Sequence, residues 1–178
     1  MQITAKQLQR MAKGTPNAAN VQSVLISINQ YGAQIGIDQP HRLAHFLAQE
    51  LHESGGFRYD KELASGAAYE GRKDLGNTQK GDGVKFKGRG PEQLTGRANY
   101  ARFTKWVQGI IPDAPDFTLK PDLINTDPYE GLTAIWFWSV GNSAGKSLNV
   151  FADRNDIEMI TRKVNGGLNG YDDRLDYF

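Results

Sequence analysis

Two glutamates nine residues apart, Glu53 and Glu62, stand out for what surrounds each of them. Glu53 closes an apolar, helix-patterned stretch that begins at Arg42 and stops at the Gly55-Gly56 pair. Glu62 follows in a stretch rich in glycine. A protonated carboxyl and an ionised one, held on opposite sides of a bond, are what hydrolysis of a glycosidic link needs. Leu43, Phe46, Leu47 and Leu51 fall at helical spacing and can bury one stripe. At about 100° per residue, Glu53 lies within about 20° of Phe46 on that helix. It therefore sits at the stripe's edge, in the last turn, where a cleft can meet it and the helix end favours the protonated acid. Two solvated surface acids are the simpler account of any such pair, so the setting has to decide.

The elements that must position the pair follow from the rest of the chain. Ile3–Met11 reads as a short helix capped by Thr4 and ended by Gly14-Thr15-Pro16. Asn17–Gly32 reads as a second, with Val21, Val24, Leu25, Ile28 and Tyr31 in phase. Gly32–Pro40 is a turn, and the Arg42–Glu53 helix follows. From Gly55 to Gly90 the glycine density predicts loop with at most short strands or turns. So long an irregular segment is usually functional or disordered. Phe57, Tyr59, Tyr69 and Phe86 would anchor it as an ordered loop lining a cleft. A helix is expected from about Thr95 to Val107, then a proline-rich linker from Pro112 to Pro121. Asp127-Pro128 is expected to cap a helix over Tyr129–Val140, whose Trp136-Phe137-Trp138 run is mainly core. Asp156–Val164 and a helix begun by Asp172-Asp173 close the chain. That last pattern is still open at Phe178, so a few further residues are expected beyond it. The fold class is mostly α, a single compact α-helical domain over 1–178 with the Gly-rich loop lining its cleft.

Several functions are disfavoured. The chain has 178 residues, enough for one sizeable core, and a net charge of +1 with acids and bases interspersed. No basic run is interleaved with aromatics, so no nucleic-acid partner is called for. The absence of cysteine excludes a disulfide scaffold and thiolate-bound zinc. His41, His45 and His52 share one helix face, but His45 and His52 are about 10 Å apart along the axis, too far to share one ion easily. No metal or cofactor is expected. Gly88–Arg97 lacks the Lys-Ser/Thr ending of a phosphate loop. It reads as close backbone approach to an extended ligand, with Gln93 and Thr95 offering hydrogen bonds. Asn165-Gly166-Gly167 reads first as a helix C-cap. The polar N-terminus has no secretory h-region and no window reaches membrane-span length. We expect a monomer made in the cytoplasm, without membrane insertion, that needs a separate pore-forming protein if its target lies outside the inner membrane.

The chain resembles family 19 of the glycoside hydrolases, the chitinase-like group, and within it the small endolysins with which bacteriophages break host cell walls. The residues that carry this are Ala48-Gln49 with His52-Glu53-Ser54-Gly55-Gly56, then Gly88-Arg89-Gly90-Pro91 with Gln93-Leu94-Thr95, and Asn99-Tyr100. Ala134-Ile135-Trp136-Phe137-Trp138, Asn165-Gly166-Gly167 and Asp173-Arg174 complete the set, in family order from residue 42 to 178. Residues 1–40 look like the helical lead-in of the phage members. The resemblance implies Glu53 as general acid, Glu62 as general base and Thr95 as a holder of the attacking water. It implies that His52, Gln93, Asn99, Tyr100, Asn165 and Arg174 contact sugar or hold the two acids in place. The family inverts at the anomeric carbon, which needs the carboxyls roughly 6.5–9.5 Å apart. The expected substrate is the N-acetylmuramic acid–N-acetylglucosamine backbone of peptidoglycan, with release to the cell wall during host lysis. The alternatives are a chitinase on N-acetylglucosamine polymers and a wall-binding module without catalysis. Three residues depart from the pattern. Glu50 and Glu92 occupy slots usually apolar, so each should meet a partner such as an arginine or sit at the cleft. Leu132 stands where many plant members carry a lysine.

Overall fold

The computed structural model describes residues 2–178. Helix α3 (Pro40–Glu53) is the axis of the fold. Pro40 suits its first turn, where a missing N–H costs nothing. Leu43, Phe46, Leu47 and Leu51 are all buried. Burial also takes in His45, Ala48, Gln49 and Glu50, so the expected single stripe is corrected to a helix enclosed around most of its circumference. The reason is tertiary: α7 (Asn149–Ala152), α8 (Ile157–Asn165) and α9 (Tyr171–Tyr177) all pack against α3. Its polar side chains therefore need internal partners. His45 Nε2 meets Asn155 Oδ1 at 3.0 Å, and the His45 ring stacks on Phe178 with centroids 4.2 Å apart. At the C-terminal end, Gly55 and Gly56 have φ of 60° and 75°, which lets the chain leave the helix sharply beside Lys13.

Helix α1 (Ala5–Met11) opens with a capping box between Thr4 and Gln7, and α2 (Ala18–Tyr31) is capped by Asn17. The predicted turn after α2 contains a short 3₁₀ helix, Gly32–Ile35. Helix α2 packs against α6 (Tyr129–Trp136) so closely that a Cβ on Gly131 would lie 2.5 Å from the Ser23 carbonyl. Asp127 does not cap α6. The Thr126 carbonyl instead accepts the N–H groups of Tyr129 and Glu130, at 2.8 and 3.2 Å. The helix expected to reach Val140 changes to a π-turn at Phe137–Gly141. There the Asn142 side chain donates to the carbonyls of Phe137, Trp138 and Lys146. Trp136 and Trp138 are core residues, and Phe103 packs edge-on to Trp136.

The 55–96 segment is ordered by buried polar side chains rather than by a sheet. It holds one turn of α-helix, α4 (Asp82–Lys85), two 3₁₀ turns at Ala67–Tyr69 and Lys73–Leu75, and two isolated bridges, Lys61–Arg89 and Arg89–Leu94. Asn77, fully buried, donates to the Tyr69 carbonyl at 2.8 Å and accepts from the Arg97 N–H at 2.9 Å. Asp82, also buried, pairs with the Arg97 guanidinium, which holds its carboxyl below the usual carboxylate range. Helix α5 (Arg97–Gln108) starts two residues later than predicted, which leaves Thr95 outside the helix. Among the described residues no helix is long and apolar enough to cross a membrane.

Candidate active site

Glu53 ends α3 and lines a cleft of about 360 Å³ together with Tyr59, Lys61, Leu63 and Gln93. Its position is set from behind. Arg174 in α9 donates one arm of its guanidinium to Glu53 Oε1 and the other to Gln49 Oε1, the latter at 2.6 Å. Arg174 is completely buried, whereas the Glu53 side chain keeps 27% of its surface exposed.

Glu62 lies on the loop between two residues that line the cleft, Lys61 and Leu63. Its N–H donates to the Gly88 carbonyl at 2.9 Å, and its Oε2 accepts the Gly88 N–H at 3.2 Å. Oε1 accepts from the Tyr69 hydroxyl at 3.0 Å. Burial first, and then this carboxylate, push the Tyr69 phenol above its ordinary value, so it stays a donor. A carboxylate with both oxygens so engaged is oriented without being neutralised, which suits a base that must take a proton from water.

Gln93 and Thr95 line up along one turn. Gln93 has φ of 50°, unusual for a residue with a side chain, and its amide donates to the Gly90 carbonyl at 3.0 Å. Thr95 Oγ1 donates to the Gln93 carbonyl at 2.7 Å, leaving its lone pairs to accept. Asn99 donates to the Thr95 carbonyl at 2.9 Å, so its amide nitrogen holds the turn. His52 Nδ1 lies 2.7 Å from Asp173 Oδ2, and Lys13 lies 2.7 Å from the other oxygen. Lys13 foremost, then His52, hold the Asp173 carboxyl below its usual range. Asn165 ends α8, is exposed, and is followed by Gly166 in the left-handed C-cap.

Tyr100 needs correction as a sugar contact. It is 0% exposed, donates to the Lys87 carbonyl at 2.7 Å and accepts from Arg89 Nη1 at 2.7 Å. Burial pushes its phenol up to about 12. It braces the loop and cannot reach a ligand. Leu132 is fully buried as well, so the departure there alters packing, not a cleft contact. Glu50 and Glu92 do not find the arginine expected for them. Neither forms an ion pair among the described residues: Glu50 is buried with its Oε2 unpartnered, Glu92 is partly exposed, and burial first pushes both carboxyls upward. The three histidines go to three separate partners, Asp153, Asn155 and Asp173.

Residues to which the sequence analysis gave no role of their own in the site complete it. Gln49 orients Arg174, Asp173 orients His52, and Tyr69 orients Glu62. A signal existed for the first: a glutamine inside the apolar face of α3 asks for a buried partner. Tyr69 was legible only as a loop anchor, not as a partner of Glu62, and nothing local marks Lys61.

A family model described as chitinase class I, of glycosyl hydrolase family 19, matches residues 27–169. This chain belongs to glycoside hydrolase family 19. A family 19 domain-containing protein of Haemophilus influenzae is 31% identical to it over 86% of this chain and 85% of that protein. An endochitinase of Arabidopsis thaliana is 29% identical over 82% of this chain and 46% of its own length. The family 19 chain thus spans about half the length of that plant endochitinase. Chitinase C from Streptomyces griseus HUT6037 superposes with a TM-score of 0.74, covering 98% of this chain and 73% of that one at 21% identity. A class IV chitinase from Zea mays gives 0.62, over 97% and 86%, at 18% identity. These two likenesses show the fold. As a family 19 member the protein is a chitinase-like glycoside hydrolase, mostly helical and built as one domain.

Proposed function

We propose that this family 19 enzyme hydrolyses the glycan backbone of bacterial peptidoglycan, at N-acetylmuramic acid–N-acetylglucosamine links, in the manner of a phage endolysin. Glu53 protonates the leaving oxygen, Glu62 takes a proton from water, and Thr95 accepts a hydrogen bond from that water. Attack from the face opposite the leaving group inverts the anomeric centre. The observation that carries the reaction is the delivery of two carboxyls from unlike elements. One sits at a helix end, braced by buried Arg174; the other sits on a loop, pinned by Gly88 and Tyr69. Inversion needs room for a water between the acids, and supports on two unlike elements suit that need better than adjacent turns of one helix.

What supports peptidoglycan over chitin is the wall of the cleft. Lys61 is exposed there, with no ion-pair partner among the described residues, beside Leu63, which is 84% exposed. Chitin is an uncharged polymer, whereas the stem peptides of peptidoglycan carry free carboxylates. An unpaired ammonium with an apolar neighbour suits the second ligand. A chitinase is the competing reading, favoured by the endochitinases among the relatives.

The test is mass spectrometry of soluble fragments from purified Gram-negative peptidoglycan, with chitin oligomers digested in parallel. New reducing ends on muramic acid are expected. Cleavage confined to chitin would replace the wall reading with the chitinase one and leave the acid and base assignments standing.

A further inference from the structure

Of the four aromatics expected to anchor the glycine-rich loop, Phe57 and Phe86 are fully buried and the Tyr69 hydroxyl is committed to Glu62. Tyr59 differs. It is 50% exposed, on the wall of the cleft that holds Glu53 and Gln93. Local backbone geometry puts it there. The chain turns at Gly55 and again at Phe57, whose φ is 61°, and the Tyr59 N–H donates to the Ser54 carbonyl at 3.2 Å. The ring then lies along the bare backbone of Gly55, where an added Cβ would come within 3.2 Å of its Cδ2 and Cε2. Arg58 supports it as well. Its Nε donates to the Gly55 carbonyl at 2.7 Å, and its guanidinium sits over the ring, 5.7 Å from the centroid. The Tyr59 ring is thus held in place without being covered.

A single exposed apolar side chain needs no explanation. This one shares a concave wall with Leu63, which is 84% exposed, and with two groups able to hydrogen-bond, the Glu53 carboxyl and the Gln93 amide. Apolar surface with a few placed polar groups is the usual lining of a small-molecule site. A β-linked pyranose is amphipathic in a matching way: its hydroxyl and amide groups project from the rim, and its faces present C–H bonds. The negative face of an aromatic ring attracts such C–H groups, and their contact removes apolar area from water on both sides. We propose that Tyr59 is a sugar-stacking residue, whose ring receives the C–H face of the sugar unit bound beside Glu53. It binds and positions, and takes no part in the proton transfers. Its ring packs on Gly55, two residues beyond the acid, so a sugar seated on it is held in register with the Glu53 carboxyl. The inference rests on the cleft being the glycan site proposed above. It does not depend on the choice between peptidoglycan and chitin, since both are chains of β-linked N-acetyl sugars with the same C–H faces.

The experiment measures KM and kcat of Tyr59→Ala and Tyr59→Phe on whichever glycan the parent cleaves. The same two changes are then placed in the Glu53→Gln background and titrated calorimetrically with chitin oligomers and with soluble peptidoglycan fragments. Tyr59→Ala is expected to raise KM and to weaken binding by about tenfold, while kcat stays within about threefold. Its melting temperature should stay close to the parent's, since half of the side chain already lies in solvent. Tyr59→Phe keeps the ring and is expected to restore affinity to within about twofold of the parent. A folded Tyr59→Ala that binds as the parent does would overturn the stacking. So would a Tyr59→Phe that loses as much as Tyr59→Ala, because the hydroxyl and not the ring would then be the contact. A parent that hydrolyses neither glycan would instead remove the proposed function, and the titrations would still decide whether Tyr59 stacks on sugar.

Discussion

Arg174 holds Glu53 and Gln49 with the two arms of one guanidinium, across 121 residues of chain in the first case and 125 in the second. Both partners belong to the last turns of α3, so the acid and its brace are fixed as one unit. A planar fork can do this and a point charge cannot.

Arg174→Lys should therefore cost activity more than binding. We expect kcat to fall by about 10- to 100-fold with KM within about threefold, because a 1 Å misplacement of the acid is costly in rate. Arg174→Ala strands Gln49 and Glu53 and should destabilise by about 3–5 kcal/mol in urea titrations.

Glu53→Gln and Glu62→Gln should each lower kcat by at least about 10²-fold while glycan pull-down is retained. A variant that still released reducing ends at the parent rate would remove that residue from the chemistry. Tyr69→Phe deletes one of the bonds that orient Glu62, and a milder loss of roughly threefold to tenfold is expected.

Lys61 offers a test of substrate class. Lys61→Glu should slow digestion of peptidoglycan roughly threefold to tenfold, most clearly at low ionic strength, and leave chitin oligomers unaffected. Equal effects on both substrates would argue against recognition of an acidic ligand.

Stability should depend on pH through two sets of carboxyls. Burial, with Asp60 and Asp127 nearby, pushes Glu130 up to about 7, and its Oε1 has no partner among the described residues. A raised carboxyl contributes stability that is complete below its unfolded value and is lost as pH rises through the folded one. Asp82 and Asp173 are lowered, by Arg97 and by Lys13, so their contribution is present above the unfolded value and lost as pH falls. Melting temperature should peak near pH 5 and decline towards pH 8. Glu130→Gln should flatten that decline and raise the melting temperature at pH 8 by about 3–6 °C, with a smaller change at pH 5.

Much of this was legible in local pattern. Leu43, Phe46, Leu47 and Leu51 announced α3, Gly55-Gly56 announced its end, and Thr4 and Asn17 announced the first two helices. The order of the loop between residues 55 and 96 was legible only as an expectation. Its staples are Asn77, Asp82 and Arg89, polar residues that look like surface until the structure buries them. The α6 pattern misled because hydrophobic spacing does not register a change of winding. Nothing in Phe137–Gly141 shows that the Asn142 amide will gather three carbonyls.

What the sequence determined by itself was the helical class, the place of Glu53 at the end of a buried helix, and the motif order of family 19. Those properties reside in spacing along a few turns, where periodicity and capping act. The tertiary structure alone decided that α3 is enclosed on nearly every side, and that Tyr100 braces the loop instead of touching sugar. It also decided that Glu50 is buried without the arginine its position calls for. Such outcomes depend on which distant segment arrives opposite a buried group, and a buried polar atom takes whatever partner the packing brings within hydrogen-bond reach.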